Sequence, residues 1–313
     1  MQDDFLWTEM YRPHTIKDTI LTDDLKNTFQ KFVDSKNVPN MLLSGSSGVG
    51  KTTVAKAMLD ELESDYIVVN GSMDGNIATL RNDIKDFAST VSFNGRKKYV
   101  ILDEADYLNP NSTQPALRNF MEEYSSNCGF ILTCNFKNRI IQPLHSRCTV
   151  IDFKIDKQQQ AKLAVKFMKR VETILTEQNV KYDKAVLAQV IQKYFPDWRR
   201  VINELQRYSV SGTIDSGILS NLKENSISEL ISFVKSKNYP EMRNWVYNNV
   251  DNDIHSLYRQ FYDYGADYFT KSTIPCLVLL LAKYQYQHAF AADPEINFMA
   301  FLVEVMVECE FNE

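Results

Sequence analysis

From residue 39 to residue 152 the chain alternates short apolar runs with longer stretches whose apolar positions recur every three or four residues. The runs "NMLLS" (40–44), "DYIVVNGS" (65–72), "KYVILDEAD" (98–106) and "GFILTCN" (129–135) predict four strands, and "CTVIDF" (148–153) adds a candidate fifth. Between them, "KTTVAKAMLDELE" (51–63), "NIATLRNDIKDFASTV" (76–91) and "STQPALRNFMEEYSS" (112–126) predict helices. Short apolar strands separated by amphipathic helices indicate an α/β arrangement, a parallel sheet covered on both faces.

After Lys154 the pattern becomes purely helical. "DKQQQAKLAVKFMKRVETILTEQ" (156–178), "KAVLAQVIQKYF" (184–195) and "PDWRRVINELQRY" (196–208) predict three helices ending near Ser211-Gly212, where glycine can stop a helix. A polar connector, "SNLKENSIS" (220–228), leads to a third section that again reads as helical. There Ile254, Leu257, Tyr258 and Phe261 share one helical face, Asp293-Pro294 is a cap and first-turn pair, and Phe298, Leu302, Met306 and Cys309 form a stripe. The expected division is 1–154, 155–222 and 223–313.

Composition narrows the function classes. The 313 residues suffice for two or three domains, and a net charge of -5 excludes a uniformly basic nucleic-acid coat. Five cysteines without a CxxC pair and four dispersed histidines suggest reduced thiols and no zinc module. The N-terminus lacks a signal-peptide pattern, and "IPCLVLLLA" (274–282) is too short to cross a bilayer, so a cytoplasmic protein with no membrane partner is expected.

The chemistry starts at "GSSGVGKT" (45–52), which fits G-x-x-x-x-G-K-[ST] at Gly45, Gly50, Lys51 and Thr52. Glycines let such a loop turn its backbone N–H groups (Ser46, Ser47, Gly48, Val49, Gly50, with Thr53 beyond) toward phosphates, and the following helix adds its positive end. Lys51 would bridge the β- and γ-phosphates of ATP, and Thr52 would ligate Mg²⁺. The plainer alternative is a Gly/Ser turn between strand and helix, which the flanking strand and helix disfavour. Asp103 and Glu104 close the third strand, as a metal-side carboxylate and a candidate general base. Asn135, at the end of a strand expected beside that of Asp103, either faces the γ-phosphate or caps the next turn. Arg147 and Arg199 are either functional or solvated surface charges, the usual fate of arginine.

"WTEMYRPHTIKD", "GSSGVGKTT", "VILDEAD", "LTCN", "IIQPLHSRC" and "FPDWRRVINELQ" occur in this order over about residues 7 to 210. Together they resemble the AAA+ ATPase subunits of sliding-clamp loaders, the replication factor C type, and most of all the large subunit of tailed-phage loaders. The resemblance implies a P-loop AAA+ core, a three-helix lid and an all-α collar for oligomerisation. It implies ATP-dependent loading of a sliding clamp onto primer-template DNA, by copies of this chain with a second loader subunit in a pentameric assembly. Asn135 would be the γ-phosphate sensor, Arg199 a second sensor from the lid, and Arg147 an arginine finger reaching into the neighbouring subunit's site. Tyr11 and Arg12 would lie near the adenine and ribose, with Ile20 and Leu21 as apolar walls. His145 departs from the family, which often has an uncharged polar residue such as Gln there.

For DNA, the resemblance implies contacts by basic residues and helix starts, with Arg81 and Lys85 first and Asn76, Ser112 and Thr113 after them. The other reading of these positions is a solvated helix face. Phe120, Met121 and Tyr124 would be apolar anchors for the clamp, or else core. Two rivals share the phosphate loop. One is another AAA+ DNA motor, a branch-migration helicase or an initiator; the other is a scaffold subunit that binds nucleotide without hydrolysing it.

Overall fold

The computed structural model describes residues 5–72, 77–90, 92, 95–215, 217–218, 227–249, 254–288 and 290–312. The chain divides into two compact units, residues 1–219 and 220–313.

The first unit opens with α1 (Trp7–Met10), a 3-10 turn (Ile16–Asp18) and α2 (Asp23–Asp34). Its sheet comprises β1 (Met41–Ser44), β2 (Tyr66–Asn70), β3 (Lys98–Asp103), β4 (Cys128–Cys134) and β5 (Thr149–Asp152), in the order β2-β3-β4-β1-β5. Every pairing is parallel. Helices α3 (Lys51–Glu61), α4 (Ile77–Ser89), α5 (Thr113–Glu123) and α6 (Gln142–His145) run between the strands.

The strand runs are continuously apolar because alternate residues feed two cores. Met41, Leu43, Ile101 and Ile131 belong to one cluster, with Phe29 and Met58. Leu42, Val100, Leu102, Phe130 and Leu132 belong to the other, with Leu117 and Phe120. Parallel pairing also brings all strand carboxyl ends to one edge, where ligands of open α/β sheets bind. Since β3, β4 and β1 are consecutive in the sheet, the loops after "LLS", "ILD" and "LTC" emerge side by side.

The helices that follow are α7 (Lys157–Glu177), α8 (Lys184–Tyr194) and α9 (Trp198–Ser209). The expectation of a purely helical segment needs correction. Two-residue strands β6 (Lys181–Tyr182) and β7 (Thr213–Ile214) pair in parallel, with Lys181 N donating to Gly212 O at 3.2 Å and Asp183 N to Ile214 O at 3.1 Å. A bridge this short has too few residues to imprint a period on the sequence. Gly212, at φ +78, makes the turn that begins β7.

The second unit holds α10 (Ile227–Lys235), α11 (Tyr239–Asn249), α12 (Ile254–Tyr268), α13 (Ile274–His288) and α14 (Pro294–Glu308). Its own core centres on Tyr258, Phe261, Phe298 and Phe301, with Tyr258 and Phe301 edge-to-face at 5.1 Å between centroids. Asp293 caps α14, accepting from Glu295 N at 2.9 Å and Ile296 N at 3.2 Å. Among the described residues no helix is long and apolar enough to cross a membrane.

Candidate active site

The phosphate loop is pinned at both ends. Gly45 N donates to Cys134 O at 3.2 Å, which ties the loop to β4, and Trp198 N donates to Gly48 O at 3.2 Å, which ties it to the start of α9. Glycine is required at position 48: φ is +73, and a Cβ there would come within 1.8 Å of Asp197 Oδ1. Gly50, at φ +96, ends the loop in a left-handed conformation and leaves α3 without a side-chain cap. With no side-chain cap among the described residues, the first N–H groups of α3 can meet an anion, and the helix dipole favours one.

Lys51 is buried, and its Nζ donates to Gly45 O at 2.7 Å, Ser46 O at 2.8 Å and Asn135 Oδ1 at 2.8 Å. Burial pulls its pKa below the ordinary lysine value, while Cys134, Asp103 and Asp106 work in the opposite direction. Asp103 Oδ1 accepts two hydroxyl bonds, from Thr52 at 2.5 Å and Thr133 at 2.6 Å. Thr133 Oγ1 in turn accepts from Glu104 N at 3.1 Å. Glu104 adopts φ +56, a left-handed conformation that costs a non-glycine residue about 1–3 kcal/mol and clusters at functional sites. Two residues on, buried Asp106 accepts through Oδ2 from Asn135 N at 3.1 Å and Phe136 N at 3.0 Å.

One cavity gathers these groups. It is lined by Ser47, Gly48, Val49, Gly50, Lys51, Thr52 and Thr53 of the loop and helix, by Asp103 and Glu104, and by Asn135. Tyr11, Arg12, Ile20 and Leu21 form a second wall, and Arg199 a third. Ser46 faces a separate apolar groove between Phe153, α7 and α8. Arg12 is held by Glu9 and reaches Thr53 Oγ1 at 3.4 Å. Tyr11 is fixed from α7, its carbonyl accepting from Arg170 Nη2 at 3.0 Å and its hydroxyl oxygen accepting from Gln178 just beyond at 2.7 Å.

Sequence reasoning missed Thr133, Asp106 and the lid wall of Phe167, Arg170, Ile174, Trp198 and Ile202. The 167/170/174 spacing marks one helical face, yet nothing in it says that the face meets the phosphate loop.

Arg147 lies outside the cavity. It is half-buried and paired with Glu122 near the end of α5, with Nε donating at 2.9 Å, while its Nη1 donates to Pro143 O at 3.0 Å. The guanidinium beside Glu122 holds that carboxyl below its ordinary pKa. Lys85 is exposed on α4, and Ser112 is exposed just before α5, whereas Thr113 is buried. Asn76 and the side chain of Arg81 lie outside the described residues. Phe120 and Met121 are buried, 5% and 3% exposed, and pack into the sheet core, which corrects their expected place on a docking surface. Their positions on α5 face the strands, and only Tyr124, partly buried beside them, remains near the surface.

A family model described as the ATPase family associated with various cellular activities (AAA) matches residues 41–155. A second, for the AAA+ ATPase lid domain of the sliding-clamp-loader large subunit, matches residues 159–220. The sliding-clamp-loader large subunit of Enterobacteria phage T4 is 32% identical over 319 residues, covering 97% of this chain and 96% of that protein. The chain belongs to the sliding-clamp-loader family of AAA+ ATPases. The replication factor C small subunit of Archaeoglobus fulgidus is 34% identical over 254 residues, 78% of the loader chain and 77% of that protein. Among solved structures, a Thermotoga maritima RuvB branch-migration motor aligns with TM-score 0.51 at 17% identity, over 67% of the loader chain and 71% of its own. That likeness is one of fold, so the branch-migration rival shares the architecture without gaining support as an activity.

Proposed function

We propose that this ATPase loads a ring-shaped sliding clamp onto primer-template DNA, and that a neighbouring subunit's Arg147 completes each nucleotide site. The chain is an ATPase of DNA replication that works in a multi-subunit complex on a clamp and DNA. The finer reading rests on one observation: Lys51, Asp103, Glu104 and Asn135 share a cavity from which Arg147 is absent.

Each role follows from chemistry. The N–H groups of Ser47 to Gly50 and the start of α3 attract phosphate, and Lys51, once turned from its own carbonyls, offers its charge to the β- and γ-phosphates. Thr52 and Asp103, already in contact at 2.5 Å, would hold Mg²⁺, which neutralises phosphate charge when bound. Glu104 polarises the attacking water, and Asn135 and Arg199 read the γ-phosphate from the sheet and from the lid. Tyr11, Arg12, Ile20 and Leu21 wall the nucleoside end. A guanidinium supplied in trans makes hydrolysis conditional on assembly, because transition-state charge is balanced only when subunits meet.

In this reading residues 1–154 are the AAA+ core, 155–222 the lid and 223–313 the collar. Copies of the chain join a second loader subunit in a pentamer in the cytoplasm of a host cell. Lys85 and Ser112, with Arg81 and Asn76, track the DNA backbone, and Tyr124 touches the clamp.

The test is steady-state hydrolysis by the assembled complex, with and without clamp and primed DNA. Clamp and DNA together should stimulate strongly. Arg147→Ala should leave ATP affinity within about threefold yet lower turnover by roughly 10³-fold, the scale of a lost arginine finger. Normal turnover in the assembled Arg147→Ala complex would remove the trans role.

A further inference from the structure

We infer that Asp106 is the positioning residue that sets Asn135 for reading the γ-phosphate, an inference resting on the nucleotide-site reading above. One oxygen, Oδ2, accepts two consecutive amides, Asn135 N at 3.1 Å and Phe136 N at 3.0 Å, where β4 ends. That pair fixes the direction in which the chain leaves the strand, and hence the Cα from which the Asn135 side chain reaches Lys51 Nζ at 2.8 Å. Asp106 is 5% exposed, so water does not compete for these bonds, and a charged acceptor makes them roughly twice as strong as neutral ones.

Asp106 is itself placed by the active site. It sits in the 3-10 turn Ala105–Tyr107 directly after Glu104, closed by Tyr107 N donating to Glu104 O at 3.0 Å. A few residues thus carry Asp103, Glu104 and the anchor of the adjacent strand's Asn135. A purely space-filling role would favour an apolar side chain. Asp106 instead keeps a buried Oδ1 with no hydrogen-bond partner among the described residues, a feature that costs stability and calls for a functional reason. When Lys51 turns to the phosphates, the Asn135 amide is released to face the nucleotide while Asp106 holds its backbone in place.

The assembled loader with clamp and primed DNA provides the test. Asp106→Ala should lower kcat by about a hundredfold, the scale of one misplaced transition-state donor, with the Kd for ADP within about twofold. Its preference for ATP over ADP should fall by about fivefold or more, because the displaced side chain is the one that reads the third phosphate. On an Asn135→Ala background the same change should alter kcat by less than about twofold, since the residue it acts through is gone. Asp106→Asn keeps an acceptor for both amides and should hold kcat within about fivefold of wild type; it decides the matter if the alanine chain does not fold. Wild-type kcat and nucleotide preference in Asp106→Ala would overturn the inference. So would an undiminished loss on the Asn135→Ala background, or a hundredfold loss in Asp106→Asn with ADP binding intact. Lys51→Ala separates the two levels: unchanged ATP affinity there would sink the nucleotide-site reading whatever Asp106 does.

Discussion

Thr133, a buried hydroxyl in the middle of the site, shows how one atom coordinates two catalytic candidates. It donates to Asp103 Oδ1 at 2.6 Å and accepts from Glu104 N at 3.1 Å. Glu104 needs that support because it sits at φ +56, where only surrounding bonds keep a glutamate. Thr133→Val is nearly isosteric, yet it removes both bonds and leaves the Glu104 amide without its acceptor. That amide is partly buried, so leaving it orphaned costs at most about 1–3 kcal/mol, the range for a fully buried group. For a unit of this size each kcal/mol lowers the melting temperature by about 2–4 °C. Turnover should fall by about tenfold or more as the carboxylates lose their setting, with ATP affinity less affected. A valine variant with wild-type turnover and melting temperature would show that the hydroxyl positions nothing.

At the scale of elements, the contact between the phosphate loop and α9 joins the sheet to its lid. Asp197 caps α9 by accepting from Arg200 N at 3.0 Å, and Trp198 N reaches Gly48 O at 3.2 Å, so the loop rests against the helix start. Gly48→Ala would drive a methyl group to within 1.8 Å of Asp197 Oδ1 and 2.9 Å of Asp197 Cα, and so must part loop from helix. ATP affinity measured by titration should weaken by about tenfold or more, since misplacements of about 1 Å have effects of this order or larger. An alanine variant with unaltered affinity would show that lid and loop need not touch. The sheet that carries this contact was legible because burial on both faces removes polar alternation: β1, β2, β3 and β5 fall inside their apolar runs, and β4 begins one residue before its own, at Cys128. The pairing of β3 with β4, expected from the motifs, is observed. The position of β1 between β4 and β5 was not legible, since strand order depends on contacts far apart in sequence. Lys51 and Asp103 could be singled out by their spacing relative to strand ends, whereas spacing left Asn135 open between the γ-phosphate and a turn cap; the fold brings all three to one cavity. Thr133 and Asp106 escaped because their role depends on what lies across the sheet, and the interior facing of Phe120 and Met121 depends on how α5 rolls onto it.

For the whole molecule, two units with separate cores allow the proposed collar to be tested apart from nucleotide binding. The core of residues 220–313 is built from its own helices, with Phe298, Phe301 and Leu302 fully buried, and among the described residues none that lines the cavity belongs to it. A chain ending at Leu219 keeps both sheet cores and the lid helices, so it should fold and bind ATP with a Kd within about threefold of the intact chain. If residues 223–313 are the collar, the shortened chain should fail to assemble. No neighbour would then deliver Arg147, and hydrolysis should fall by roughly 10³-fold, as deep as in Arg147→Ala, with no response to clamp or primed DNA. Native mass measurement and hydrolysis on the same sample read both effects. A shortened chain that stays monomeric yet hydrolyses ATP at the rate of the assembled loader would show that each site is complete within one chain. One that still assembles would move the oligomer contacts into the sheet and lid.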